Sequence, residues 1–105
     1  MAFNTGAALL DALVLSVVSR QDSYGYRITQ QVRQLMTLSE STLYPVLRRL
    51  QKEDCLEVYD QEYAGRNRRY YRITPKGRQM LEEYRIQWND YKQRVDQMLQ
   101  EEEQL

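Results

Sequence analysis

Histidine is absent from the 105 residues, and cysteine occurs once, at Cys55. Without histidine there is no Ser-His-Asp or Cys-His nucleophilic site and no imidazole ligand for zinc, and one cysteine cannot close an internal disulfide. No acid-base pair, metal cluster or phosphate-cradling glycine loop stands out either, so no enzymatic activity, metal or cofactor is expected. Long hydrophobic runs are missing: none approaches the ~18 residues of a membrane span, and the first residues lack the basic region and small-residue cleavage site of a signal peptide. A cytoplasmic protein without a membrane partner is expected. Net charge is lacking too, because 15 Lys+Arg cancel 15 Asp+Glu. Only the distribution of charge can point to a partner.

That distribution is uneven. Residues 1–80 carry 12 Lys+Arg against 8 Asp+Glu, an excess of +4, while residues 81–105 carry 3 against 7, an excess of −4. Residues 64–78 hold Arg66, Arg68, Arg69, Arg72, Lys76 and Arg78 and no acidic residue, a basic footprint within a neutral chain. The length is that of one domain, which buries somewhat over about 60% of its unfolded surface.

Apolar periodicity gives the order of elements. Leu9, Leu10, Leu13, Val14, Val17 and Val18 recur at helical spacing and predict a buried helix over 6–20. Ser23 suits the cap of a second helix over 24–36, with Ile28, Val32 and Leu35 on one face. Only Thr37 and Leu38 then precede Ser39, the cap of a third helix reaching about residue 54 with Leu43, Leu47 and Leu50 inward. Two helices joined so closely form a helix-turn-helix. Pro45 is accommodated most easily if this helix begins nearer Ser41, which places the ring in the first turn. Alternation around Leu56 and Val58, and again around Arg69, Tyr71 and Ile73, predicts a hairpin with 64–67 between its strands. Thr74-Pro75 starts a last helix that no breaker beyond Gly77 interrupts before about residue 103. The expected fold is mainly α with a small β-hairpin (α+β): a winged helix-turn-helix domain over 1–76 and a long C-terminal helix over 77–105.

Several stretches together resemble the PadR-like family of bacterial transcriptional regulators over about residues 6–88. They are Tyr24-Gly25-Tyr26, Ser41-Thr42-Leu43-Tyr44-Pro45 with Arg49-Leu50, Gly65-Arg66, and Tyr70-Tyr71-Arg72-Ile73-Thr74-Pro75-Lys76-Gly77. The resemblance implies a dimeric repressor whose third helix enters the major groove, whose wing meets the flanking backbone and whose single C-terminal helix joins two subunits. The chain departs from the family at Cys55, where glycine usually ends the third helix, and in a short connection between the second and third helices.

Against that resemblance, Ser41, Thr42, Tyr44, Arg48 and Arg49 form the DNA-facing side of the third helix, hydroxyls suiting phosphates or base edges and arginines suiting guanine. The same residues also suit a bland reading, in which the hydroxyls cap, the tyrosine packs on the wing and the arginines are solvated. Arg66, Asn67, Arg68 and Arg69 on the wing read as phosphate contacts. Lys76 joins them, although it and Arg78 could instead face acidic residues of the last helix. Tyr24 and Tyr26 read chiefly as packing residues.

On the last helix Leu81, Tyr84, Trp88, Tyr91, Val95 and Met98 follow one another at three- and four-residue intervals, an a/d seam for a homodimer. Two-fold symmetry implies an inverted-repeat operator in double-stranded DNA. Drug-responsive relatives with a tryptophan at this place imply a slot for a small planar aromatic ligand bounded by Trp88, Tyr91, Leu10 and Val14; simple packing of Trp88 is the alternative. Glu53, Asp54 and Glu57 around Cys55 oppose the lowered pKa a redox-sensing thiol needs. A competing function is a winged-helix interaction module that docks a partner protein through the last helix.

Overall fold

The computed structural model describes residues 5–100, as four helices and one antiparallel hairpin: α1 (Thr5–Arg20), α2 (Gly25–Val32), α3 (Glu40–Lys52), β1 (Leu56–Tyr63), β2 (Arg66–Ile73) and α4 (Pro75–Gln100). The expected continuation of α4 to about residue 103 and the fraying of Glu101, Glu102 and Glu103 lie outside the described residues. The fold is the expected winged helix.

The core stripe of α1 is Asp11, Val14, Leu15 and Val18, spaced i, i+3, i+4, i+7. Leu10, Leu13 and Val17 are only partly covered. The buried face is therefore rotated from the one that counting leucines and valines indicates, because a carboxylate holds one of its positions. Asp11 is 4% exposed. It accepts a hydrogen bond from the Arg49 guanidinium of α3 on one oxygen and from the Tyr84 hydroxyl of α4 on the other, the latter at 3.0 Å. A carboxylate stripped of water is costly unless paired and bonded, and both partners come from other elements.

α2 is shorter than its periodicity predicts. Tyr24, not Ser23, holds the N-cap, without a side-chain capping bond. Ser23 instead bridges to β2, its amide donating to the Tyr71 carbonyl at 3.1 Å and its carbonyl accepting from the Tyr71 amide at 2.7 Å. After Val32 the chain turns through Arg33, Gln34 and Leu35. Leu35, expected inward, is 74% exposed, and Leu38, expected in the link, is buried. Burial of Leu38 takes the chain off the helix axis, so the connection spans 33–39 rather than two residues.

At α3, Ser39 caps as expected and accepts from the Thr42 amide. The helix begins at Glu40, which puts Pro45 in its second turn rather than its first. The bond that the proline cannot donate belongs to Ser41, on the exposed side of the helix. Leu43, Leu47 and Leu50 point inward and are fully buried. The helix closes with the Cys55 amide on the Leu50 carbonyl and the Asp54 amide on the Gln51 carbonyl, the paired bonds of a Schellman end. The left-handed residue is Asp54, at φ 62°, so Cys55 does not need a glycine-like backbone; it is the buried residue after the turn.

The hairpin turns on Ala64 (φ 53°) and Gly65 (φ 78°), two positive φ values that match the right-handed twist of paired strands. Arg66 and Asn67, expected in the loop, are the first residues of β2. Register runs from Leu56 opposite Ile73 to Tyr63 opposite Arg66. Thr74 then accepts from the Gly77 amide and donates to the Asp54 carbonyl, capping α4 and tying it to the end of α3. Gly77 packs so tightly that a Cβ there would lie 2.2 Å from the Cys55 carbonyl oxygen. From there α4 runs along α1 and beyond it, giving the molecule its 64 Å length.

Two outcomes follow for stability. Gly77→Ala forces backbone apart and is expected to cost about 1–3 kcal/mol or more, read as a fall in Tm of roughly 4–8 °C per kcal/mol. Burial, then the charge and bond of Asp11, push the Tyr84 hydroxyl up to about 12. Its unfolded pKa is near about 10, so the folded state keeps the proton longer; this stability is complete below about pH 10 and lost as pH rises toward 12. Urea midpoints measured between roughly pH 9 and 11 are expected to fall for the wild type and to fall less for Tyr84→Phe.

Candidate nucleic-acid interface

A cleft of about 640 Å³ lies between the start of α2, the outer side of α3 and the outer half of the hairpin. Arg48, Arg66, Arg68 and Arg69 line it, with Tyr24, Tyr26, Tyr44, Tyr63 and Asn67, and no carboxylate does. Such a surface suits a phosphate chain: cations supply the attraction and hydroxyls supply directional bonds.

The hairpin is less basic than the chain order suggests. β2 carries Arg66, Arg68, Arg69 and Arg72, but β1 lays Glu57, Asp60 and Glu62 alongside them. Arg69 lies 3.7 Å from Asp60, and Arg72 lies 3.6 Å from Glu57 and 3.3 Å from Asp22. Two of the six basic residues of the acid-free stretch 64–78, Arg69 and Arg72, are thus matched by carboxylates. Of the arginines that line the cleft, Arg48, Arg66 and Arg68 form no ion pair among the described residues, so three of its four cations keep their charge unmatched by a carboxylate. Exposed pairs such as Arg69 with Asp60 are weak, and Arg69 stays exchangeable toward a phosphate.

The third-helix candidates divide. Ser41 and Thr42 are exposed at the start of α3, each with its hydroxyl beside that of Ser39. Tyr44 is 37% exposed, donates to Glu40 at 3.2 Å and lies so close to α2 that a Cβ on Gly25 would sit 2.8 Å from its oxygen. Burial, then Glu40, raise its pKa. Arg48 faces the cleft. Arg49 turns the other way, to Asp11 and Glu53, and its pKa is raised chiefly by the bond to Asp11. It joins neither the cleft nor its arginines. Lys76 is also outside the cleft, at the hairpin base, where its charge acts on the Cys55 thiol. Burial outweighs that charge and raises the thiol pKa, and Cys55 is fully buried, the opposite of a sensing thiol. Tyr26, expected to pack, is 56% exposed and accepts from the Gln30 amide group. Tyr63 and Gln51 line the cleft without having been singled out; the position of the turn after β1 brings Tyr63 there.

A second, apolar cleft of about 460 Å³ runs between α1 and α4, lined by Leu9, Leu13, Leu35, Met36, Leu81, Tyr84 and Trp88 among others. Of the residues expected to bound a ligand slot, only Trp88 lines it. Val14 is fully buried and unavailable to a ligand, because it belongs to the core stripe of α1. Leu10 packs on the core instead, and the Tyr91 ring centroid lies 6.1 Å from that of Trp88. Of the seam residues, Leu81 is consumed by the chain's own core and Tyr84 by Asp11. Trp88, Val95 and Met98 are 40%, 38% and 73% exposed, and Ile86 and Leu99, not expected in the seam, are exposed too. Among the described residues no helix is long and apolar enough to cross a membrane, and no group of three His, Cys, Asp or Glu could hold a metal.

Known proteins share this fold. The family model "Transcriptional regulator PadR-like family" matches residues 14–83. The crystal structure of smu.1704 from Streptococcus mutans UA159 superposes with a TM-score of 0.87 at 39% identity, covering 95% of this chain and 94% of that one. A PadR family transcription regulator from Clostridium difficile R20291 gives 0.80 at 32% identity, covering 86% and 97%. Transcriptional regulator Rv3488 of Mycobacterium tuberculosis is 37% identical over 73 residues, 69% of this chain and 68% of that protein. A winged helix with an arginine-lined cleft, matched over two thirds of its length by one family and along nearly all of it by solved relatives, belongs to the PadR-like family of DNA-binding transcriptional regulators, which are not enzymes.

Proposed function

We propose that the chain is a homodimeric, sequence-specific DNA-binding repressor that a planar aromatic ligand releases from an inverted-repeat operator. The observation that carries the DNA reading is the acid-free cleft in which Arg48 of α3 and Arg66 and Arg69 of the hairpin converge. In this reading Ser41, Thr42 and Tyr44 present α3 to the major groove, and the hairpin tip with Arg66 and Asn67 follows the adjoining backbone. Occupancy of promoter DNA blocks transcription sterically.

The dimer reading rests on α4, whose outer length carries Trp88, Val95, Met98, Ile86 and Leu99 exposed. With Leu81 and Tyr84 engaged at home, the seam proposed here is Trp88, Tyr91, Val95 and Met98. A second copy laid along it places two α3 helices about 34 Å apart, one turn of DNA. The ligand reading rests on the apolar α1–α4 cleft that Trp88 bounds. A compound preferring one α1–α4 geometry lowers DNA affinity through its preference for that state.

Selection from a random double-stranded pool is expected to recover an inverted repeat with half-sites about one helical turn apart; no enrichment at low salt by folded protein sinks the DNA reading. Three arginines per subunit imply about six neutralised phosphates per dimer, hence a slope near about −5 for log affinity against log salt. A flat response contradicts the assignment. Titration with planar aromatic cations is expected to quench Trp88 fluorescence saturably in the wild type, with DNA release abolished in Trp88→Ala; linear quenching across a varied panel removes the ligand.

A further inference from the structure

Arg68 sits differently from every other arginine of the hairpin. Its guanidinium carbon lies 3.9 Å from the centroid of the Tyr24 ring and 3.8 Å from that of the Tyr63 ring, so both faces of the planar cation are covered by aromatic faces. One of its edges donates to the Tyr70 hydroxyl at 3.3 Å. Tyr24 is the N-cap of α2, and Tyr63 is the last residue of β1, beside the turn. The stack therefore joins the tip of the hairpin to the body of the domain. Below it the Tyr24 and Tyr70 rings meet edge-on at 5.6 Å, Tyr70 stacks on Tyr59 at 5.5 Å, and the Tyr59 hydroxyl donates to Asp22 at 2.7 Å. These lower contacts, with the Ser23–Tyr71 bridge, hold the base of the hairpin, and the Arg68 stack is the side-chain contact that reaches Tyr63 at its outer end.

We propose that Arg68 is a positioning residue, clamped between Tyr24 and Tyr63 so that it fixes the outer half of the hairpin over the start of α2 and holds Arg66 and Arg69 across the cleft from Arg48, rather than meeting a phosphate itself. The inference rests on the DNA reading for its consequence but not for the clamp. The chemistry asks for arginine specifically: a flat, weakly hydrated cation stacks on two rings at once, whereas a lysine ammonium keeps its charge and cannot. A two-stranded hairpin has little stability of its own, so its outer half takes its direction from whatever ties it down.

The test pairs hydrogen–deuterium exchange of hairpin amides with duplex-DNA binding across a salt series, on the full chain as wild type and as Arg68→Lys, Arg68→Gln, Tyr63→Leu and Arg66→Ala, each first shown to melt cooperatively. The clamp predicts faster exchange over residues 61–68 in Arg68→Lys, Arg68→Gln and Tyr63→Leu, and wild-type exchange in Arg66→Ala. It also predicts a loss of roughly five- to tenfold in affinity for all three clamp variants, with the wild-type salt slope retained. Arg66→Ala instead flattens the slope by about 1.8 per dimer, one phosphate per subunit. Wild-type affinity in Arg68→Lys together with a flattened slope in Arg68→Gln makes Arg68 a phosphate contact and overturns the proposal; unchanged exchange in the clamp variants overturns it as well. If the wild type binds no duplex, the DNA reading fails and takes the positioning role with it, while the exchange arm still decides whether the clamp exists.

Discussion

One buried carboxylate sets the frame of this molecule. Asp11 lies in the middle of the core face of α1, and its two oxygens accept from Arg49 of α3 and Tyr84 of α4. Leaving such a group unpaired is far more costly than an ordinary core imperfection, so the three helices are free to pack only where both donors reach it. α3 and α4 are thereby referred to the same point. In the dimer proposed above, the placement of α3 relative to α4 sets the distance between the two α3 helices.

The same interaction divides the face of α3. Arg48 and Arg49 are neighbours and chemically identical, yet one looks into the cleft and the other closes the network around Asp11. Helix geometry alone separates them, a rotation of about 100° per residue. Arg49 meets the carboxylates of Asp11 and Glu53, and Arg48 meets none among the described residues.

The hairpin follows a related logic. Its four arginines are not four equivalent phosphate contacts: Arg69 and Arg72 have acidic cross-strand neighbours, Arg68 lies between two rings, and Arg66 is left unmatched at the tip. A short two-stranded ribbon with unrelieved like charge would repel itself, since like charges opposite one another destabilise the ladder. The cross-strand pairs relieve that repulsion and leave the unmatched positive charge of Arg66 at the tip.

Patterns confined to neighbouring residues were legible in the chain: the order of helices and strands, the caps at Ser39 and at Thr74-Pro75, the inward leucines of α3, and the family to which the motifs point. Each depends on a period or a local hydrogen bond, which sequence spacing encodes directly. The bonds that Asp11 accepts from residues 38 and 73 positions away could not be read so. Nor could the exchange of Leu35 for Leu38 in the core, or the acids of β1 that answer the arginines of β2. Periodicity by itself determined the helix and strand order of a winged helix; which arginines remain unmatched, and which are tied into the fold, was decided only when tertiary packing brought distant charges within bonding distance, because pairing depends on separation in space and not along the chain.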